Sequence, residues 1–293
     1  MGREGVMRRA FTLIEVLVVI AVIGVLIAII APSLDRARER ALCTASRSNM
    51  HQVCAAGATY RNDQRDALPI TLAYRRGGAA SDVSGPLEGL CAWSFAGANC
   101  DAWWAGQAFD VEAADRPLNA FLAGGSTFEA PDPPATLGAG DPARAAAKVP
   151  VCRAPADDPT RQRTPPRSTP GVGVQQDVGT SYLLNTRWWG QLAGIADAEE
   201  RMRAAHRRFT AADATDPSRM VWVHDQSAGV LSAAGVGAGG RLEIENAFDD
   251  VNQSVMGFID GHVDYLRVDP GQVSRADRSG SYTLIFSTLP PPP

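Results

Sequence analysis

The sequence predicts an α+β protein: one long N-terminal helix packed on a small antiparallel sheet, with a loop-rich insertion between the two. Three observations predict it. An almost unbroken apolar run from Phe11 to Ala31 leads directly into an apolar stripe of helical period. The strand-like segments all lie after residue 180. The residues between are dominated by Gly, Ala, Pro and Ser.

The helix comes first. Phe11–Ala31 is 21 residues long, about 30 Å at ~1.5 Å per residue, which is one hydrocarbon core. Past Pro32, the residues Leu34, Ala37, Ala41, Ala45, Met50, Val53, Gly57 and Tyr60 recur at steps of mostly three or four. That spacing draws one apolar stripe on an amphipathic helix. Arg36, Arg40, Arg47 and Arg61 lie off the stripe. A single helix is therefore expected from about Phe11 to Asn62, kinked at Pro32, where an amide hydrogen bond is lost. It should end near Asp63, before a polar run and Pro69. The expected segments are a leader over 1–10, an apolar helix over 11–31, an amphipathic helix over 32–64, an insertion over 65–179, a β-rich domain over 180–289 and a Pro tail over 290–293.

The insertion reads as irregular from Ile70 to Lys148, with linker-like stretches at 131–134 and 138–140. Trp93, Trp103 and Trp104 pin it, because disordered segments are poor in aromatics. Strands are expected over Ser181–Leu184, Met220–His224, Ser254–Ile259, His262–Val268 and Tyr282–Phe286, and a short surface helix over Asp197–Arg208. Between two apolar strands, Asp260-Gly261 favours the positive φ angles of a two-residue hairpin turn.

Charge sets orientation and compartment. Arg3, Arg8 and Arg9 precede the apolar run, which favours a cytoplasmic N-terminus and a single pass through the cytoplasmic membrane. The net charge is −4, and losing Arg3, Arg8, Arg9 and Glu4 with the leader removes a net +2 and leaves −6. No basic face marks a nucleic-acid partner. Outside the membrane, the five cysteines would meet an oxidising compartment. Cys91 and Cys100 flank a short loop and form the first candidate disulfide. Cys54 and Cys152 form the second, and Cys43 is left over. Connectivity does not follow from sequence, and buried thiols are the alternative.

Glu15 is the one charge inside the apolar run, and a carboxylate there usually marks function. The basic leader, Ala10, and then Phe11-Thr12-Leu13-Ile14-Glu15 closely resemble the signal of type IV prepilins and type II secretion pseudopilins. The resemblance implies a pilin-like fold and cleavage between Ala10 and Phe11 by a prepilin peptidase/N-methyltransferase. Phe11 would become an N-methylated first residue. Ala10 stands where the family usually has Gly. The resemblance also implies that Glu15 neutralises a neighbouring subunit's N-terminal amine during assembly. The partners it implies are copies of the chain, other pilin-like subunits, an inner-membrane assembly platform and membrane lipid. Ala21, Gly24 and Ala28 are small enough to let neighbouring helices approach closely.

The resemblance extends further. Asn49-Met-His-Gln52 with Tyr60, Asp63 and Pro69, then Thr180–Asn185 and Asp216–Arg219, are similar to segments of a large pilin-like family. Phe258-Ile-Asp-Gly-His-Val263 resembles the end of that family's processing-associated domain. That domain carries a His ten residues before its Asp-Gly, and here the position is Asp250. The function implied is that of a filament subunit. The alternative is a surface-displayed binding or processing protein that uses the same export signal without forming filaments.

Catalysis is not expected. His224-Asp225 and Asp260-Gly-His262 place imidazoles beside carboxylates, but neither spacing matches a metalloenzyme motif such as His-Glu-x-x-His. Asp249, Asp250 and Asn252, with Glu243 and Glu245, supply hard oxygen ligands of the kind calcium takes, without a recognised loop spacing. Gly235–Gly240 lacks the Lys-Ser/Thr of a phosphate loop.

Overall fold

A helix, α1, runs unbroken from Leu13 to Asp63, about 76 Å at ~1.5 Å per residue. The structure is a computed structural model that describes residues 13–65, 67–74, 87–105, 107–122, 148–157, 172–233, 243–275 and 280–286. Pro32 stays inside the helix, and Ser33 Oγ donates to the Ile30 carbonyl at 2.7 Å. Glu15 in the first turn and Arg61 in the last each oppose the helix dipole. The helix stops where Arg65 takes the left-handed conformation, φ +52°, just ahead of Pro69.

The chain divides into two units, Met1–Leu42 and Cys43–Pro293. The described part of the first is helix alone. In the second, after the end of α1, come β1 (Thr71–Tyr74), β2 (Leu87–Cys91), α2 (Asn119–Leu122), α3 (Val174–Val178), β3 (Tyr182–Leu184), α4 (Ala198–Thr215), β4 (Val221–Asp225), α5 (Gln226–Ala233), β5 (Gln253–Phe258) and β6 (Val263–Arg267). β3 to β6 form an antiparallel sheet in chain order, and β1 pairs with β2 in a separate two-stranded sheet.

Within this unit α1 packs on one face of the four-stranded sheet. Met50, Val53 and Gly57 are buried, as the stripe predicts, and so is Cys54 beside them. Ser46 is buried where the stripe placed Ala45, because its hydroxyl lies 3.1 Å from the Tyr182 hydroxyl on β3. Two glycines allow the close approach. A Cβ on Gly57 would sit 2.3 Å from the Trp222 ring, and one on Gly257 would sit 2.4 Å from Cys54 Sγ. The register shifts between Val221 and Val223, and this bulge turns both Trp222 and Val223 toward α1. Ala228 and Leu231 of α5 join Val221, Met256, Phe258, Tyr282 and Leu284 in a second core.

Several expectations need correction. The insertion is not wholly irregular, since β1 and β2 pair within it. α4 extends to Thr215, with Asp197 capping the Glu200 amide. α5 was not expected. The last expected strand, Tyr282–Phe286, is reduced to isolated bridges from Thr283 to Met220 and to Ser274. Asn185 explains this, because its Nδ2 donates to the carbonyls of Val221 and Leu284. A side chain thereby takes carbonyls that a ladder would use. The hairpin forms, but its loop has three residues, not two. Gly261 N donates to Phe258 O at 3.0 Å, and Phe258 N to His262 O at 3.0 Å. Only Gly261 takes a positive φ, +89°. A turn closed by one left-handed residue is the usual three-residue hairpin.

Candidate functional site

The N-terminal helix exposes apolar side chains around its whole circumference. Ile14, Val16, Leu17, Val19, Ile23 and Ile30 are each about half exposed or more. A helix that is apolar on all sides belongs inside a membrane or a bundle of helices, not on a protein surface. Burying each such side chain is worth about 1.5–3 kcal/mol, so this segment has a strong drive toward an apolar surrounding. Length and composition suffice for one membrane crossing. Glu15 lies in the first described turn and is exposed. Ala21, Gly24 and Ala28 fall on one face at spacings of three and four, and nothing lies within 4 Å of a Cβ built on Gly24. Ala10 and Phe11 lie outside the described residues.

The Asp260-Gly261-His262 segment clamps the hairpin to the helix. Asp260 Oδ1 accepts from the His262 amide at 3.1 Å and lies 2.6 Å from its ring Nδ1. The ring stacks on Phe258 at 4.1 Å. The carbonyl of Gly261 lies 3.0 Å from His51 Nδ1, and Arg47 donates to the Val263 carbonyl. This part of the pilin-like resemblance is thus a docking device between α1 and the β5–β6 hairpin.

The disulfide expectations are corrected. All five cysteines are thiols. Cys91 and Cys100 lie in adjoining apolar clusters that share Trp93 and Phe109, but both sulfurs turn to one acceptor, the Phe109 carbonyl, at 3.8 and 4.0 Å. Arg116 Nη2 donates to Cys100 Sγ at 3.2 Å. Cys54 packs against Gly257 under α1, whereas Cys152 is buried beside Thr180, so that pair does not meet either. Burial pushes the thiols of Cys54, Cys91 and Cys152 up to about 12.

Arg116, which sequence reasoning missed, organises this core. It is almost fully buried and donates to the carbonyls of Val111, Trp93, Ala96 and Val178. No sequence signal marks it, since an Arg in a polar loop reads as surface.

The acidic loop is shaped by its asparagines. Asn246 Oδ1 accepts from the amides of Phe248 and Asp250, and Asn252 Oδ1 accepts from that of Ile244 at 2.8 Å. Asp249 and Asn252 hold positive φ, +57° and +56°, a conformation that Asp and Asn tolerate. Asp250 accepts from the Tyr265 hydroxyl at 2.9 Å. Among the described residues no three His, Cys, Asp or Glu side chains converge as metal ligands.

The two histidine–carboxylate pairs do separate jobs. Asp225 accepts from Ser254 Oγ and from the amides of Val255, Ser227 and Ala228, tying α5 to β5. Its burial raises its pKa. His224 Nδ1 lies 2.6 Å from the Asp225 carbonyl, which makes it the protonated nitrogen and leaves Nε2 as the acceptor. Burial lowers the imidazole to about 4. His262 instead belongs to the hairpin clamp.

Residues 6–31 match the model of the prokaryotic N-terminal methylation motif. No curated protein and no solved structure matches the chain. The chain therefore carries a prepilin-type N-terminal segment followed by a long apolar helix and an α+β unit, consistent with a pilin-like or pseudopilin-like protein.

Proposed function

We propose that this chain is a structural subunit of a filament of the type IV pilus or type II secretion kind, built by stacking its N-terminal helices. The observation that carries this reading is the methylation motif over residues 6–31 running directly into the exposed apolar start of α1. A prepilin peptidase cuts between Ala10 and Phe11 and methylates Phe11, so the helix stays on the mature protein. Arg3, Arg8 and Arg9 hold the N-terminus in the cytoplasm, and the sheet domain lies on the far side of the inner membrane. On extraction by the assembly platform, Phe11–Ala31 leaves lipid for a bundle of equivalent helices. Ala21, Gly24 and Ala28 provide close contacts there. A head-to-tail contact that does not close into a ring gives a filament. The role is assembly, not catalysis.

Glu15 tests the reading. A carboxylate and a neighbour's N-terminal ammonium offset each other's desolvation only when paired, and removing one partner of a buried pair costs about 3–5 kcal/mol. Glu15→Ala leaves the Ala10–Phe11 junction intact, so processing should survive. The expected result is mature-length protein retained in the membrane and missing from sheared filaments. Normal incorporation of the variant, in cells without a wild-type copy, would refute the pairing role.

A further inference from the structure

A cavity of about 370 Å³ opens between the β3–β4 end of the sheet and α5. That is within the size range of small-molecule sites, ~300–1,000 Å³. Its walls are mostly apolar, with Trp93, Leu183, Leu184 and Val230 among them. Four polar side chains also line it, Thr186, Arg187, His224 and Gln226.

Arg187 is the unusual member. Its Nε donates to Ser232 Oγ at 3.1 Å and its Nη2 to the Gly229 carbonyl at 2.6 Å. Both partners are neutral groups of α5. Among the described residues no carboxylate pairs with it. The guanidinium is partly desolvated, and its charge reaches His224. A desolvated cation is costly unless an anion answers it. The guanidinium has five N–H groups in a planar fork that fits a carboxylate. His224, with Nδ1 turned to the Asp225 carbonyl, keeps Nε2 as an acceptor and stays uncharged near neutral pH. The site therefore has one positive charge, the neutral polar side chains of His224, Thr186 and Gln226, and otherwise mostly apolar walls.

We propose that this cavity binds a small carboxylate with an apolar body, its carboxylate on Arg187 and its hydrocarbon against Trp93, Leu183, Leu184 and Val230. Pairing of the ligand carboxylate with a guanidinium that meets no carboxylate among the described residues supplies the charge selectivity. Burial of the hydrocarbon supplies most of the remaining affinity. Every residue of this site lies in the second unit.

The test uses the full chain in zwitterionic lipid nanodiscs, with empty nanodiscs as the blank, at pH 7. Calorimetric titration compares 3-phenylpropionate with its neutral amide, 3-phenylpropanamide. The acid should bind at least ~10-fold more tightly, which is about 1.4 kcal/mol. Arg187→Gln should reduce that preference to less than twofold, and Arg187→Lys should keep a smaller preference, being a charge without the fork. A short peptide ending in Phe with a free C-terminus identifies the source of the carboxylate. Stronger binding of the peptide than of the free acid assigns the site to a chain terminus, and weaker binding assigns it to a small acid. Equal affinity of wild-type protein for acid and amide would overturn the proposal without recourse to any variant. So would full acid preference in a folded Arg187→Gln protein.

Discussion

His224 and Arg116 show how single polar residues are held in this domain. His224 is buried with its pKa lowered from 6.5 to about 4 by desolvation. The unfolded chain then binds a proton that the native state refuses. Stability from this residue is fully present above about pH 6.5 and is lost as pH falls toward 4, by on the order of 3 kcal/mol. Asp225 beside it is raised by burial and acts in the opposite direction. The difference between wild type and His224→Gln isolates the imidazole. Urea unfolding at pH 7.5 and 4.5 should show a larger acid loss for wild type, and equal losses would contradict the assignment. Arg116→Ala should be worse at every pH. It leaves the buried carbonyls of Val111, Trp93, Ala96 and Val178 without this donor. At ~1–3 kcal/mol per unsatisfied group, a loss above about 3 kcal/mol is expected in the same unfolding assay. Neither role was legible beforehand, because the sequence shows residue types but not which acceptors surround them.

At the scale of elements, α1 does two different jobs along its length. Its apolar start presents side chains on all sides, while its second half meets the sheet through glycines. Gly57→Ala forces a methyl to within 2.3 Å of a buried indole, and Gly257→Ala to within 2.4 Å of Cys54 Sγ. Each should destabilise by about 1–3 kcal/mol through overpacking, measurable as a lower melting temperature. Gly24 is the contrast. A side chain there meets nothing in the isolated subunit, so Gly24→Leu should leave melting unchanged while reducing incorporation into filaments. The helix and its end near Asp63 were readable from the long apolar run and the stripe of helical period that follows it, and β3 to β6 from short runs rich in apolar residues. The hairpin was readable from Asp260-Gly261, but not its loop length, which depends on where the Phe258–His262 pairing closes. β1 and β2 were obscured because each is only four or five residues long and lies in a stretch dominated by Gly, Ala, Pro and Ser. The Tyr282–Phe286 strand failed because Asn185, far away in sequence, takes its backbone acceptor.

At the scale of the whole molecule, the structure replaces covalent staples by packing. All five cysteines are thiols, and four of them are buried. Cys43 alone is half-buried. A thiol pushed up to about 12 has almost no thiolate at neutral pH. Maleimide added without reductant should label Cys43 in the native protein and the other four only after denaturation. A cross-linked Cys91–Cys100 peptide in the native protein would contradict this. The disulfide expectation followed from compartment and spacing, and it failed because neither reports where two sulfurs point.

The central claim is that the N-terminal segment is processed and then builds a filament. The most direct measurement is mass spectrometry and immunogold imaging of filaments sheared from cells that express the native chain. The account predicts filaments labelled along their length, with a subunit that begins at N-methyl-Phe11. A chain that keeps Met1, or a mature chain beginning at Phe11 that is found only in membranes and never in sheared filaments, would contradict it.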